Sequence, residues 1–571
     1  MARVSESEVT SPKAHSPRDP VAVSIHLRPV VREGVNEHFR MTDPPKNWDI
    51  AVHPKIARLL RSRRFQFALI VPNQIIFWVV ILTGLLGTVI PGLNFGTAIT
   101  WYIWFCLVFV MMVVIGRAWC AMCPFGGLAE WIQRRSLWQR TQHRLGLGRK
   151  LPEPIARYGF LLSVGTFLLL TWIEEYFNIA GPGNPWATSF MVLGIVASAL
   201  LFFLVFERRT FCRYICPLSA VIGTVGAMGS VAGFRTRDRQ ICLDCKTKDC
   251  MRGGVDGYGC PWYTWPGSAD SNLTCGLCSE CYKACPEDNI GLFLQKPLTS
   301  VVAPVRRRAD IAWSVAVLWG LVVFQQFNAT NVFASIDTSL NRVTHLSYPN
   351  PVGYIAIISL VTFFMATVVK VIERILSRDD PDHSHDAHLA AYPEPAVHAY
   401  EFAGVTTSPD SSLILRVTGV DAFGQPVPED VHESVNTNFI TRTSRFRQYF
   451  LPLMYGIIPV VGADYFARQL PKFFEHATRI VPAVGNLFGK GSTKSVLYNT
   501  HILSINGIVK AQLIVIAIGT AAAMWATWKI SGRELLAVSH RPIATRAIAI
   551  ALPLACGLVA GILYVIMHAA P

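Results

Sequence analysis

Nine stretches of about 20 mostly apolar residues run through the sequence, near 67–90, 97–116, 158–176, 186–206, 311–329, 353–372, 448–466, 509–529 and 546–568. Runs of that length match the hydrocarbon thickness a helix must cross. In lipid each backbone polar group has to be satisfied inside its own segment, so these runs have to be helical. Hydrophobic residues make up 51% and charged residues 16% of the 571 positions, too apolar a balance for an ordinary soluble chain of this size. The expected fold is mainly α, a polytopic helical membrane protein with about nine transmembrane helices. One further apolar stretch, "PLSAVIGTVGAMGSVAGF" after Cys216, is rich in Gly and Ser and reads as an interfacial or re-entrant piece.

Basic residues orient the spans. The first 65 residues are polar, end in "KIARLLRSRR" and lack the features of a secretory signal, which keeps the N-terminus inside. The connection after the second span carries Arg117, Arg134, Arg135, Arg140, Arg144, Arg149 and Lys150, whereas the turn before it, "PGLNFGTA", has no charge. The third-to-fourth connection holds only Glu174 and Glu175. The next begins with Arg208 and Arg209 and closes with Arg306, Arg307 and Arg308, so every early basic loop falls on one side. The net charge of +15 is then mostly this bias, and nucleic acid is not an expected partner. One stretch breaks the pattern: residues 467–508, expected to form an outer loop, contain Arg468, Lys472, Arg479, Lys490 and Lys494.

Of 14 cysteines, twelve lie in tight clusters between Cys120 and Cys285, all on the side assigned to the cytoplasm, where thiols stay reduced. Such spacing favours metal or iron–sulfur ligation over disulfides. The run "CGLCSECYKACP" places Cys275, Cys278, Cys281 and Cys285 as C-x2-C-x2-C-x3-C-P, the bacterial ferredoxin spacing. Zinc, the alternative, needs two separated pairs. Upstream, Cys242, Cys245, Cys250 and Cys260 form a looser version with an insertion before the final Cys-Pro. If the fourth cysteine of each run reaches the neighbouring cluster, Cys242, Cys245, Cys250 and Cys285 hold one [4Fe–4S] cube and Cys260, Cys275, Cys278 and Cys281 the other. The insertion leaves open a degenerate half with a single cube. Lys246, Lys248, Arg252 and Lys283 are a candidate docking patch for an acidic partner, against ordinary solubilising charge.

Two hairpins, spans one with two and three with four, end alike, in "RAWCAMCP" and "RTFCRYICP". A parallel repeat implies an approximate two-fold axis along the membrane normal, which brings Cys120, Cys123, Cys212 and Cys216 towards one place. These four are expected to hold a third metal centre, a further [4Fe–4S] cluster or copper, with redox-active or structural dithiols as the alternative. Cys106 and Cys556 sit singly inside spans and read as packing residues.

The repeated motif followed by a ferredoxin insert resembles the NapH/NosR/CcoG-type membrane polyferredoxins, over roughly residues 65–330. The resemblance implies membrane-bound electron transfer connected to respiratory or metalloprotein systems in a bacterial inner membrane. This sequence departs from the pattern by having C-x2-C-P in the first motif, where the family usually has C-x3-C-P. It also shows no large extracytoplasmic flavin domain before the first span and no covalent-flavin threonine motif, so a full NosR-like function is not implied.

The expected organisation is a polar cytoplasmic segment (1–65), two repeated hairpins (66–234), a cytoplasmic ferredoxin-like insert with two [4Fe–4S] clusters (235–300), two helices (301–375), a polar linker or small domain (376–446) and three C-terminal helices (447–571). The linker's His383, His385 and His388 are candidate metal ligands, and "LILRVTGVDAFGQPV" a candidate hairpin. Because about 30 Å of hydrocarbon separates the clusters from the outer face, a transmembrane route needs a quinone or a haem b. His345, His476, His501 and His568 are candidates to serve either, and Glu174 and Glu175 to release protons. The expected function is an electron carrier between a cytoplasmic donor or the quinone pool and a partner redox enzyme. A copper-handling or metalloenzyme assembly factor and an iron–sulfur redox sensor are the alternatives. Alkaline phosphatase fused after residue 180 should be active and after residue 240 inactive; the reverse would invert the assigned topology.

Overall fold

Two helical hairpins built alike carry the cysteine motifs. In the computed structural model the described residues are 48–135, 146–377 and 444–569, apart from 157, 180–183, 305–306, 347, 537–538 and 540, with short strands at 27–28, 401–402, 406–407, 413–415 and 433–435. The first hairpin pairs α1 (Arg63–Leu86) with α2 (Phe95–Ile115) and the second α3 (Gly159–Tyr176) with α4 (Pro185–Val205). Then follow α5 (Ala309–Phe327), α6 (Pro351–Leu376), α7 (Arg445–Asn486), α8 (Ile505–Leu535) and α9 (Pro542–Ala569). Among the described residues eight helices are long and apolar enough to cross a membrane. The ninth expected span, α3, has only 18 residues and closes on Glu174 and Glu175, which lower its hydropathy below that of the others.

The three C-terminal helices pack into the same core as the hairpins, with α7 at its centre. Tyr465 of α7 stacks on Phe109 of α2 at 6.3 Å, and Gln326 of α5 donates to Asp464 of α7 at 2.6 Å. Helix α7 also corrects the expected outer loop at 467–508, because residues 467–486 continue its 42-residue course. An unbroken helix of that length would run about 63 Å; here the regular α-helix is interrupted at Ile457 and again by a tighter turn at Ala477–Arg479. Two of the charges that broke the basic-residue pattern have carboxylate partners here: Arg468 meets Glu175 at 3.2 Å and Lys472 meets Glu174 at 3.4 Å.

The Gly- and Ser-rich stretch after Cys216 forms a buried ten-residue helix, Pro217–Gly226, about 15 Å long and so half of a span. It leads into β1 (Val231–Thr236), antiparallel to β2 (Ile290–Leu294), and these two strands frame the insert. Part of the polar N-terminal segment closes the insert. Asp49 accepts from Leu292 N at 3.0 Å and pairs with Arg237 at 2.8 Å, while Ala51 and Leu60 are buried beside Cys250, Cys260 and Cys281. In the linker, Leu413–Leu415 of the expected hairpin pairs antiparallel with Glu433–Val435; His383, His385 and His388 lie outside the described residues.

Membrane helices gain close approach from small residues. A Cβ on Gly519 of α8 would stand 2.1 Å from Ala463 Cβ of α7, whereas one on Gly165 of α3 would meet nothing within 4 Å. Gly519→Leu should therefore lower stability by about 1–3 kcal/mol, read as an earlier thermal transition in detergent, with Gly165→Leu close to wild type.

Candidate iron–sulfur centres

Both hairpins present their cysteines by one device. Cys123 precedes Pro124 at the start of the helix Pro124–Arg134, and Cys216 precedes Pro217 at the start of Pro217–Gly226. The two cysteines have nearly equal backbone angles, φ −65 and ψ 124 against φ −55 and ψ 119. Proline suits the first helical position because its missing N–H would be unpaired there anyway. The sulfur just before it faces free helix N–H groups, which favour a thiolate. The extra residue of the second motif is taken up by a wide turn, Phe211–Ile215, in which Cys216 N–H donates to Phe211 O at 2.8 Å. The C-x2-C and C-x3-C spacings thereby deliver their second cysteines in the same conformation.

The four membrane-proximal cysteines come together. Burial pushes the Cys123 thiol up to about 11 and the Cys216 thiol up to about 12, and negative charge on their companions adds to the rise. Cys212 is raised further by burial and by Cys216, Cys123 and Cys120, against the opposing pull of Arg209. Gly126 leaves room for this gathering: a Cβ there would lie 3.3 Å from Cys212 Sγ.

The insert holds two more sets of four. Burial lifts Cys250 to about 12, and its sulfur neighbours are Cys242, Cys285, Cys245 and, from the other set, Cys260. Cys242, Cys245, Cys250 and Cys285 line one recess together with Trp265 and Asn289. Thr236 Oγ1 lies 3.1 Å and Asn289 Nδ2 3.4 Å from Cys242 Sγ, while Asn289 N–H donates to Cys285 Sγ at 3.4 Å. Hydrogen bonds to cluster sulfurs tune potential. In the second set, Cys281 is raised by burial and then by Cys260, Cys278 and Cys275. Gly233 of β1 has φ +90, and a Cβ on it would come within 2.8 Å of Cys275 Sγ, so this position needs glycine twice over.

The sets adjoin in a row. Cys260 N–H donates to Cys250 O at 2.7 Å, linking the two insert sets. Buried Arg209 acts on both Cys212 and Cys278, linking the insert to the membrane-proximal set. Among the described residues no three His, Cys, Asp or Glu side chains converge closely enough for a single metal ion. Each set supplies four thiols, the ligand number that a [4Fe–4S] group takes, so the donor sets fit such groups.

Other residues named from the sequence have separate places. Lys283 is buried in an ion pair with Glu280 at 3.0 Å, and Lys248 lies over the Trp265 ring at 5.0 Å, leaving Lys246 and Arg252 as the exposed charges of the candidate patch. Glu174 and Glu175 are the ion-paired residues at the end of α3. His501 Nδ1 lies 3.0 Å from Glu475 O, and His476 stacks edge-on to Tyr102 at 5.0 Å. His345 caps the helix Asn331–Thr344, and His568 falls in the last turn of α9. Cys106 and Cys556 are buried in α2 and α9. Sequence reasoning missed the buried residues around the motif, Arg117, Glu130 and Arg209; the shared Arg-x-x-Cys spacing of the two repeats was the available signal.

A family described as a 4Fe–4S binding domain matches twice, at residues 97–143 and 188–233. The first match contains most of α2 with Cys120 and Cys123, and the second most of α4 with Cys212 and Cys216. The chain thus carries a match to a 4Fe–4S binding domain in each of its two hairpins, within a helical structure that has spans of membrane-crossing length. It is similar to the ferredoxin-type protein NapH of Escherichia coli (strain K12), 29% identical over 180 residues, which cover 30% of this chain and 58% of that relative. The similarity therefore spans less than two thirds of the relative's length. No solved structure matches.

The grouping of the insert cysteines predicts a pattern of iron loss. Cys250→Ser and Cys285→Ser should each remove about four iron atoms, and the double variant no more, whereas Cys250→Ser with Cys260→Ser should remove about eight. Iron and acid-labile sulfide assays on purified protein check this; equal losses from both double variants would break the grouping.

Proposed function

We propose that this protein carries electrons along a row of three four-cysteine sites, from a cytoplasmic redox donor or acceptor to the membrane surface and the quinone pool, in service of a partner redox enzyme. The single observation that carries this reading is the order of the sites: Cys242, Cys245, Cys250 and Cys285 outermost, Cys260, Cys275, Cys278 and Cys281 next, and Cys120, Cys123, Cys212 and Cys216 at the helix ends. Bound [4Fe–4S] groups would supply one-electron exchange. The residues of the chain contribute ligation, spacing and shielding from water. Trp262 and Tyr282 are buried with the inner cysteines of the insert, and Cys120 and Cys212 pack against that same cluster.

An apolar recess of about 530 Å³ supports the link to a quinone. It opens between α3 and α4, is lined by Trp186, Phe190, Phe211, Ile215 and Pro217 among others, and so ends on the residues that flank Cys212 and Cys216. A quinone ring and its tail are apolar enough to enter from the bilayer and large enough to fill such a space. The relative's printed description as a ferredoxin-type protein agrees with an electron-carrying role. The basic loops support placing the sites on the cytoplasmic side of a bacterial inner membrane.

Anaerobically purified protein should contain about twelve iron and twelve sulfide per chain, four of each per cube, with EPR signals that appear on reductive titration. Reduced quinol in proteoliposomes should generate part of that signal, and Cys120→Ser should abolish the quinol response. About eight iron with bound copper would favour a metal-handling role instead, and zinc in place of iron would overturn electron transfer.

A further inference from the structure

Each hairpin places an arginine three residues before the first cysteine of its pair, Arg117 before Cys120 and Arg209 before Cys212. These two lead the fully buried side chains by volume, at 1% and 2% exposure. A buried charge is strongly unfavourable unless an opposite charge accompanies it, and the two arginines differ in how they meet that requirement. Arg209 donates to Glu130 Oε2 through Nη2 at 2.6 Å and Nε at 3.1 Å, and to Cys120 O through Nη1 at 3.0 Å. Glu130 also pairs with Arg134, so one carboxylate serves two guanidinium groups.

Arg117 has no carboxylate among the described residues. Its Nη1 donates to Leu273 O at 2.6 Å and its Nη2 to Ser219 Oγ at 2.7 Å, its guanidinium lies 4.3 Å from the centre of the Trp262 ring, and its Nε is buried without an acceptor. All of these partners are neutral. Leu273 precedes Cys275 and Trp262 follows Cys260, so Arg117 stands between the membrane-proximal cysteines and the inner set of the insert. Its partner Ser219 lies three residues after Cys216, in the helix that Cys216 begins. Four thiolates around a cube make a net anion, the charge this buried cation lacks.

We propose that Arg117 and Arg209 are paired counter-charges of the membrane-proximal four-cysteine site, and that Arg117, the one without a carboxylate, sets the reduction potential of the group held there. This rests on the reading that the site holds an iron–sulfur group. Reduction adds a negative charge, and a nearby fixed cation stabilises the reduced state more than the oxidised one. Arg117 is a positioning and tuning residue rather than a ligand.

The test is the midpoint potential of the EPR signal that Cys120→Ser abolishes, measured with iron and sulfide content on the full-length protein. Arg117→Met should move that midpoint to a more negative value with iron per chain unchanged, and Arg117→Lys should stay near wild type. Glu130→Gln, which releases Arg209 from its carboxylate, should move it the other way and decides the matter should Arg117→Met fail to accumulate. Unmoved midpoints in Arg117→Met or Glu130→Gln overturn the inference, as does iron loss at a constant midpoint, which marks a purely structural role. A wild-type protein with about eight iron and no Cys120-dependent signal overturns the electron-carrier reading itself; an unmoved midpoint with that signal present overturns this inference alone.

Discussion

A cysteine held at the start of a proline-initiated helix, at the point where a hairpin leaves the membrane, is the arrangement on which the rest of the molecule depends. Cys123 and Cys216 are held this way in nearly one backbone conformation, and the repeat brings their companions Cys120 and Cys212 to the same place. A turn that leaves the bilayer has to satisfy backbone groups that lipid cannot. Here helix starts, a wide turn and buried arginines do so, and the same groups create the positive surroundings that four thiolates require.

From this junction the insert is built outward. Arg208 holds it to the hairpin by donating to Met251 O at 2.6 Å and Cys260 O at 2.7 Å, and Asn272 ties it to the buried helix Pro217–Gly226 through Gly226 O at 3.0 Å. Within the core, α7 packs against α2, α5 and the short helix, so the C-terminal helices brace the scaffold that carries the cysteines. Arg307 reaches Glu534 at 2.8 Å, joining the end of the insert to the last turn of α8. Cross-braces of buried ion pairs and close-packed helices hold the separations between the three cysteine sets fixed.

Much of this was legible in one dimension because the signals are local. Apolar runs of about 20 residues locate membrane helices, and the C-x2-C-x2-C-x3-C-P run carries the bacterial ferredoxin spacing in a single short segment. The long α7 was less legible. Its second half carries Arg468, Lys472 and Arg479, which lower hydropathy; contact with Glu175 and Glu174 from a distant helix accommodates the first two, and Tyr498 the third. Glu130 was likewise invisible as a site residue, since its partner Arg209 lies in the other hairpin. Lys283 looked like surface charge until its burial against Glu280 placed it inside the insert.

The sequence by itself determined the class of the protein: a membrane-type helical chain with a repeated cysteine motif and a ferredoxin-like insert. Period, length and ligand spacing are properties of short segments and survive without knowledge of the fold. Which cysteines gather with which, the order of the three sets and the two unequal arginines between them were decided by tertiary structure alone. Those features depend on distances between residues far apart in the chain, as between Arg117 and Leu273 or between Cys250 and Cys285. Such distances arise only when helices of different hairpins pack against one another.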